Sequence, residues 1–274
     1  MTRSQLFTNG KTFIRHTWRP EHENENLVIT FSEMHANDPS ADGFAERFLS
    51  AFEFDLITVQ KNCEYWYQDL TIEEFYRVVK PIVSQYETCG SYGVSMGAYA
   101  SLYFCGTVNA NILAISPLVS IHPRYPSLGH FPFRKIVEFK HIDLSLVPKS
   151  SGKTVIIYDP RESRDDLYVK MELLNNFPEA DFISAPFFGH PCAQAMQEAG
   201  ILKNTVIDFL SGKQNFLRND IRESRKKSSI YFRNLIKYLK KRHKKLSLFI
   251  YNEAVRLHPD SDRIRGLMDS EIDF

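Results

Sequence analysis

The stretch Gly93-Val94-Ser95-Met96-Gly97 decides the fold that this 274-residue sequence predicts. It lies between a short strand-like run that ends near Tyr92 and an apolar run, from about Gly97 to Phe104, that fits a helix. A strand-to-helix turn this tight strains its central residue, and side chains two positions to either side would collide, so glycine is needed there. Such a turn holds the Ser95 hydroxyl at the N-terminus of the next helix. The pattern therefore predicts a nucleophilic serine.

A serine hydroxyl is a weak nucleophile until a base takes its proton and an acid orients that base. His190, in Phe188-Gly189-His190-Pro191, follows the last predicted strand and precedes the last predicted helix. This position puts His190 on a loop at the same edge of the sheet as Ser95, which makes it the predicted base.

The acid is expected where the predicted strand Lys153 to Tyr158 runs into an acidic segment. Asp165 is preferred because it lies a few residues past the strand end, just before an amphipathic helix with the apolar Leu167 two positions later. Three other carboxylates stay open as alternatives, namely Asp159 at the strand end, Asp166 and, more remotely, Glu162.

Strand and helix patterns alternate on both sides of this stretch. The further predicted strands are Thr12–Thr17, Leu27–Ser32, Phe54–Val59, Asn111–Ser116 and Asp181–Ala185. The further predicted helices follow a capping box at Thr71, with Pro81 expected to kink or shorten that helix, and cover about 166–176 and 193–210. Such alternation predicts an α/β fold with a mostly parallel central sheet and helices on both faces.

The turn at Gly93–Gly97, the acidic segment and the Gly189-His190 motif follow one another in the order and spacing of the α/β-hydrolase superfamily. The sequence resembles that superfamily over about residues 10 to 211. The resemblance implies a serine hydrolase in which Ser95 attacks an ester carbonyl, His190 carries the proton and Asp165 orients the imidazole, through an acyl-enzyme. Acyltransferases and peptidases use the same triad. A catalytically degenerate binding or scaffold protein on the same fold is the alternative from another class.

The resemblance also implies an oxyanion hole. One donor is the N–H of Met96, directly after the serine. The second comes from the loop Ser32-Glu33-Met34-His35, which departs from the family's His-Gly type because Glu33 stands in place of glycine. The N–H of Glu33 or Met34 is the expected second donor.

Composition excludes several classes of protein. Hydrophobic residues make up 43% of the chain and aromatic residues 13%, which is ample for a packed core and excludes a disordered chain. The longest apolar runs are too short to span a membrane, and the first residues lack the apolar segment of a secretory signal, so a cytoplasmic protein is expected.

The net charge of +1 conceals an uneven distribution. Residues 1–211 carry −7, residues 212–245 carry +11 and residues 246–274 carry −3. This shift predicts a hydrolase-like domain over 1–211 and a basic helical tail over 212–274. Within the tail, the basic run 240–245 favours a solvated face or a turn between helices over contact with nucleic acid or an anionic membrane.

The tail resembles a tetratricopeptide helix pair in the spacing of Tyr231, Tyr238, Ser247, Tyr251, Ala254 and Pro259, although Asn234 occupies a position that is usually apolar. A lone repeat cannot bury its own apolar face. The tail is therefore expected to dock on the first domain, on a protein partner or on a second copy.

Segment 117–152 lies where α/β-hydrolases commonly insert a cap, and either a lid over the pocket or a plain connection fits it. Five aromatic and sulfur side chains are expected to lie in the core and not to line the acyl pocket. They are Met96, Tyr99, Tyr125, Phe131 and Phe133.

No cofactor or metal is expected. Ser151-Gly152-Lys153-Thr154 resembles the end of a phosphate-binding loop but precedes a strand instead of following one, and the nine histidines form no His-Glu-x-x-His motif. The four cysteines, Cys63, Cys89, Cys105 and Cys192, are widely spaced and are expected to be free thiols.

Overall fold

A computed structural model describes residues 1–21, 25–125, 137–213 and 218–269. These residues form a mixed α/β fold around one eight-stranded sheet, in the order β1-β2-β4-β3-β5-β6-β7-β8. The strands are β1 (Thr2–Thr8), β2 (Thr12–Trp18), β3 (Asn26–Phe31), β4 (Asp55–Lys61), β5 (Thr88–Val94), β6 (Asn111–Ile115), β7 (Thr154–Tyr158) and β8 (Asp181–Ser184). Strand β2 pairs antiparallel with both its neighbours, and the remaining pairs are parallel. The prediction of a mostly parallel sheet is confirmed.

Helices surround the sheet. They are α1 (Glu46–Ser50), α2 (Ile72–Val83), α3 (Met96–Phe104), α4 (Ser163–Tyr168), α5 (Cys192–Glu198), α6 (Leu202–Leu210), α7 (Arg218–Ser224), α8 (Ser229–Lys240), α9 (Lys244–Leu257) and α10 (Asp262–Asp269). The predicted capping box is present at the start of α2, where Thr71 and Glu74 each accept a hydrogen bond from the other's backbone N–H. Helix α4 runs on through a π-turn at Val169–Leu173 to Asn176.

Two hydrophobic clusters cover the two faces of the sheet. Successive residues of one strand belong to different clusters, as with Leu27 and Val28 on β3, because side chains alternate across a strand. Helices α2 and α3 cover the first face, where Phe75 and Leu102 are buried. Helices α5, α6 and α8 cover the second. The core therefore has the layered arrangement of a doubly covered sheet.

The tail helices join the second cluster. Phe232 and Ile236 of α8 are 1% and 2% exposed and pack in the same core as the sheet residues Val155 and Ile157. The carboxylate of Glu198, at the end of α5, accepts hydrogen bonds from the start of α8, from the hydroxyls of Ser228 and Ser229 and the N–H of Ile230. The start of α8 is thus held directly against the end of α5.

Helices α8 and α9 pack against each other, with small residues at their contact. Ser247 and Ala254 of α9 are both fully buried, and the Ser247 hydroxyl donates to the carbonyl of Ile236 on α8. This is the packing expected where two helices cross closely. The resemblance of the tail to tetratricopeptide repeats and the domain boundary near Gly212 stay predictions.

Three local expectations differ from the structure. The sequence pattern does not predict strand β1, because it is an exposed edge strand whose side chains carry no core-facing pattern. Helix α2 continues through Pro81 to Val83. The helix predicted over 193–210 is two helices, α5 and α6, separated near Gly200, which adopts a left-handed φ of 76°.

The described parts of segment 117–152 contain the short 3₁₀ turn Leu144–Leu146 and pack apolar side chains such as Leu118 and Val147 into the core. Phe131 and Phe133 lie outside the described residues. Met96, Tyr99 and Tyr125 are buried, as expected of core residues. The lid stays a prediction.

All four cysteines are free thiols. No helix among the described residues is long and apolar enough to cross a membrane.

Candidate active site

Ser95 occupies a strained turn between β5 and α3. Its backbone adopts φ 53° and ψ −114°, a conformation that L-residues rarely take. A Cβ atom on Gly93 would lie 2.4 Å from the carbonyl oxygen of Gly97, and one on Gly97 would lie 2.6 Å from that of Phe31. The Ser95 N–H donates to the carbonyl of Ile115 on β6 at 2.9 Å. The turn thus needs both glycines and fixes the serine at the carboxyl edge of the sheet.

Three predicted side chains meet in a hydrogen-bonded line. Ser95 Oγ lies 2.8 Å from His190 Nε2, and His190 Nδ1 lies 2.7 Å from Asp165 Oδ1. Because a carboxylate only accepts, Nδ1 carries the proton that His190 donates to Asp165, and Nε2 is free to accept from the Ser95 hydroxyl. The structure therefore brings together a serine hydroxyl, an imidazole and a carboxylate in hydrogen-bonding order.

Asp165 is almost fully enclosed. Its side chain is 1% exposed, that of His190 is 12% exposed, and Asp165 Oδ2 has no hydrogen-bonding partner among the described residues. Because there is little solvent to screen its charge, a buried carboxylate interacts more strongly with its one partner than an exposed carboxylate would. Among the described residues, His190 is therefore the one hydrogen-bonding partner of the Asp165 carboxylate, which can hold the orientation of the imidazole.

The three alternative acids have other contacts. Asp159 accepts from backbone N–H groups of Arg161, Phe187 and Gly189, at 2.8, 3.0 and 2.7 Å. Burial raises the pKa of the Asp159 carboxyl, and these hydrogen bonds oppose that rise. Asp166 accepts from Lys170 Nζ, and Glu162 from Arg164 Nε.

The expected oxyanion donors lie at the start of α3 and on the loop that follows β3. Met96 is the first residue of α3, where backbone N–H groups have no intrahelical acceptor. The loop with Glu33 and Met34 follows β3, the neighbour of β5, and no described residue accepts a hydrogen bond from either N–H. The N–H of His35 is occupied, since it donates to Glu64 Oε1 at 2.6 Å. Met96 with Glu33 or Met34 stays the predicted pair.

Helix α8 of the tail contacts the loop after β8 that carries His190, here called the histidine loop. Asn234 Nδ2 on α8 donates to the carbonyl of Phe187 at 3.1 Å, and the ring of Tyr238 packs at 5.3 Å against that of Phe187. In the sequence, the one sign of this contact is that the polar Asn234 occupies a position of the tail that is usually apolar. It binds the backbone three residues before His190, so α8 helps to position that loop.

The described residues contain no group of three or more His, Cys, Asp or Glu side chains that could hold a metal ion.

No protein-family model matches the sequence, and no curated protein matches it. Solved structures of similar fold exist. The capsule O-acetyltransferase of Neisseria meningitidis serogroup A aligns over 76% of this chain and 94% of its own, with 12% identity and a TM-score of 0.52. Acetyl xylan esterase 1 from Thermoanaerobacterium aligns over 74% and 80%, with 12% identity and a TM-score of 0.51. A sugar hydrolase from Lactococcus lactis aligns over 81% and 100%, with 16% identity and a TM-score of 0.50. These neighbours are esterases, acetyltransferases and hydrolases of the α/β-hydrolase type, so the chain is similar to that type in fold.

Proposed function

We propose that this protein is a serine hydrolase that cleaves carboxylic esters through Ser95, His190 and Asp165. The observation that carries the proposal is the unbroken hydrogen-bonded line from Ser95 Oγ to Asp165 Oδ1, with a strained serine at its head. Esterases among the structural neighbours support an ester as the substrate.

The first half of the reaction forms an acyl-enzyme. Ser95 Oγ transfers its proton to His190 Nε2 and attacks the ester carbonyl carbon, which gives a tetrahedral intermediate with a negative oxygen. The N–H of Met96 and one from the Glu33–Met34 loop stabilise that oxygen. The carbon–oxygen bond to the alcohol then breaks, and the alcohol leaves with the proton from His190.

The second half releases the acid. Water gives a proton to His190 Nε2 and attacks the acyl carbon, and Ser95 Oγ leaves with that proton as the carboxylic acid departs. Throughout, Asp165 stabilises the imidazolium and keeps Nε2 directed at Ser95. A hydroxyl of another molecule in place of water would make the same site an acyltransferase, which the acetyltransferase neighbour supports as the second candidate.

The test is steady-state hydrolysis of short-chain 4-nitrophenyl esters. Ser95→Ala should lower kcat by orders of magnitude, because it removes the nucleophile. Ser84→Ala, at an exposed serine just after α2, is the matched control and should keep wild-type kcat. A folded wild type without measurable turnover would leave a catalytically degenerate binding protein as the better description, and equal turnover by wild type and Ser95→Ala would mean that Ser95 is not the nucleophile.

A further inference from the structure

A cavity of about 430 Å³ lies beside the histidine loop, between the domain and its tail. Its walls are the loop after β7, with Asp159 and Arg161, the loop after β8, with Gly189, and the C-terminal part of α8. Both loops leave the carboxyl ends of parallel strands, the edge at which Ser95 lies and at which α/β sheets bind ligands. Gly189 directly precedes His190, so one loop lines the cavity and carries the proposed base.

The cavity has an excess of positive charge. Arg161, Lys237, Lys241 and Arg242 line it, and none of them forms an ion pair with a described carboxylate. Burial, and then the nearby Arg233, lower the pKa of Lys237. These cations are therefore held near one another without a counter-charge.

The two acidic residues of the wall do not offset this charge. Asp159 is 2% exposed and its oxygens face three backbone N–H groups. Glu162 accepts from Arg164, outside the cavity lining. An anion from solution would meet cations here and little repulsion.

Two arginines are oriented by the same aromatic ring. The guanidinium of Arg242 lies 4.0 Å from the ring centroid of Tyr238, and that of Arg161 lies 5.2 Å from it. Arg161 Nη1 also donates to the Tyr238 hydroxyl at 3.4 Å. Stacked guanidinium groups lose less freedom on binding, and their planar donors match the oxygens of a phosphate.

We propose that this cavity is a subsite for phosphate on the leaving group of the substrate, so that the preferred acyl donor is a phosphate-bearing ester or thioester. The inference rests on the proposed function and names its substrate class. The acyl carbonyl reaches Ser95, while the phosphate is held on the tail side of the His190 loop by Arg161, Lys237 and Arg242. With a thioester, the carbon–sulfur bond breaks as the acyl group moves to Ser95 Oγ, and the thiol takes the proton from His190.

Binding tests the cavity independently of catalysis. Calorimetry with inorganic pyrophosphate should show saturable binding to the wild type that weakens with ionic strength, and the double variant Lys237→Gln/Arg242→Gln should weaken it at least tenfold, since each lost charged hydrogen bond is worth about that factor. Lys245→Gln removes one charge from α9 outside the cavity lining and should bind pyrophosphate as the wild type does. Absent wild-type binding, or equal weakening in Lys245→Gln, overturns the subsite.

Kinetics test whether the subsite serves the reaction. The probes are acetyl-coenzyme A, a thioester with a phosphorylated leaving group, and 4-nitrophenyl acetate, which carries no phosphate. The double variant should lower the ratio of kcat/KM for acetyl-coenzyme A to that for 4-nitrophenyl acetate about tenfold, mainly through KM. An unchanged ratio, or turnover of the neutral ester without turnover of acetyl-coenzyme A, overturns the assignment as a substrate subsite. If the wild type hydrolyses neither compound, the proposed function fails, and pyrophosphate binding still decides whether the cavity takes anions.

Discussion

Asp159 Oδ2 accepts a 2.7 Å hydrogen bond from the N–H of Gly189, the residue that precedes His190. Asp165, six residues farther along the chain, instead faces the imidazole of His190 itself. Both carboxylates are buried, yet one holds the backbone of the loop and the other contacts the base. Substitutions that keep their size and remove their charge should therefore have different effects.

Asp165→Asn should lower kcat by about 10⁴-fold, because an amide in that place favours the wrong tautomer of His190 and does not stabilise the imidazolium. The measurement is steady-state turnover of a 4-nitrophenyl ester, with the thermal midpoint as a check on folding. The folded structure should persist, since Asp165 has no other described hydrogen bond to lose.

Asp159→Asn should act mainly on stability. Whichever way the new amide is turned, at least one backbone N–H faces its NH₂ group and loses an acceptor, which costs about 1–3 kcal/mol in free energy of unfolding. Denaturant unfolding measures this loss. A larger loss of turnover in Asp159→Asn than in Asp165→Asn would reassign the acid.

Gly93→Ala should destabilise the protein by about 1–3 kcal/mol and reduce turnover, because the added methyl group meets the backbone of Gly97 at 2.4 Å. The matched control is Gly266→Ala in α10, where an added Cβ meets no atom within 4 Å. That control should stabilise the fold slightly, since alanine favours a helix. Equal denaturant midpoints for the two variants would contradict the account of the serine turn.

His141 should make stability depend on pH. It is buried, accepts from the Tyr99 hydroxyl at Nδ1 and donates from Nε2 to the carbonyl of Tyr67. Burial lowers the pKa of His141 from 6.5 to about 4. Above pH 6.5 both folded and unfolded chains hold it neutral, whereas between pH 6.5 and 4 only the unfolded chain takes up a proton.

The free energy of unfolding should therefore fall by about 3 kcal/mol across that window through His141 alone. Urea unfolding of the wild type and of His141→Gln at a series of pH values isolates this contribution, because the carboxylates are common to both proteins. Parallel curves for the two proteins would mean that folding does not lower the pKa of His141.

The sequence predicts those features of the fold and site that rest on local patterns. Alternating buried strands and helices predict the parallel sheet, because each side chain pattern reflects which faces are covered. The pair Gly93 and Gly97 predicts the serine turn, because only glycine fits the contacts there. In the sequence, only its distance from the strand end distinguishes Asp165 from Asp159. In the structure the two side chains have different partners, the imidazole of His190 for Asp165 and the N–H of Gly189 for Asp159.

The rest depends on contacts between distant segments. The proposed phosphate subsite joins Arg161 to Lys237 and Arg242, which no local periodicity connects. Phe232 and Ile236 read as one face of an amphipathic tail helix, and nothing in that pattern says that the face completes the core beside β7. The change of charge near Gly212 marks a change of surface composition, while apolar packing continues across it.

The most direct test of the central claim is covalent labelling of Ser95. A fluorophosphonate reacts with a serine whose hydroxyl is activated by an adjacent base, and peptide mass spectrometry locates the adduct. The account predicts one adduct on Ser95 in the wild type, much slower labelling in His190→Ala and none in Ser95→Ala. A folded wild-type protein that stays unlabelled, or an adduct on another serine that persists in Ser95→Ala, would contradict it.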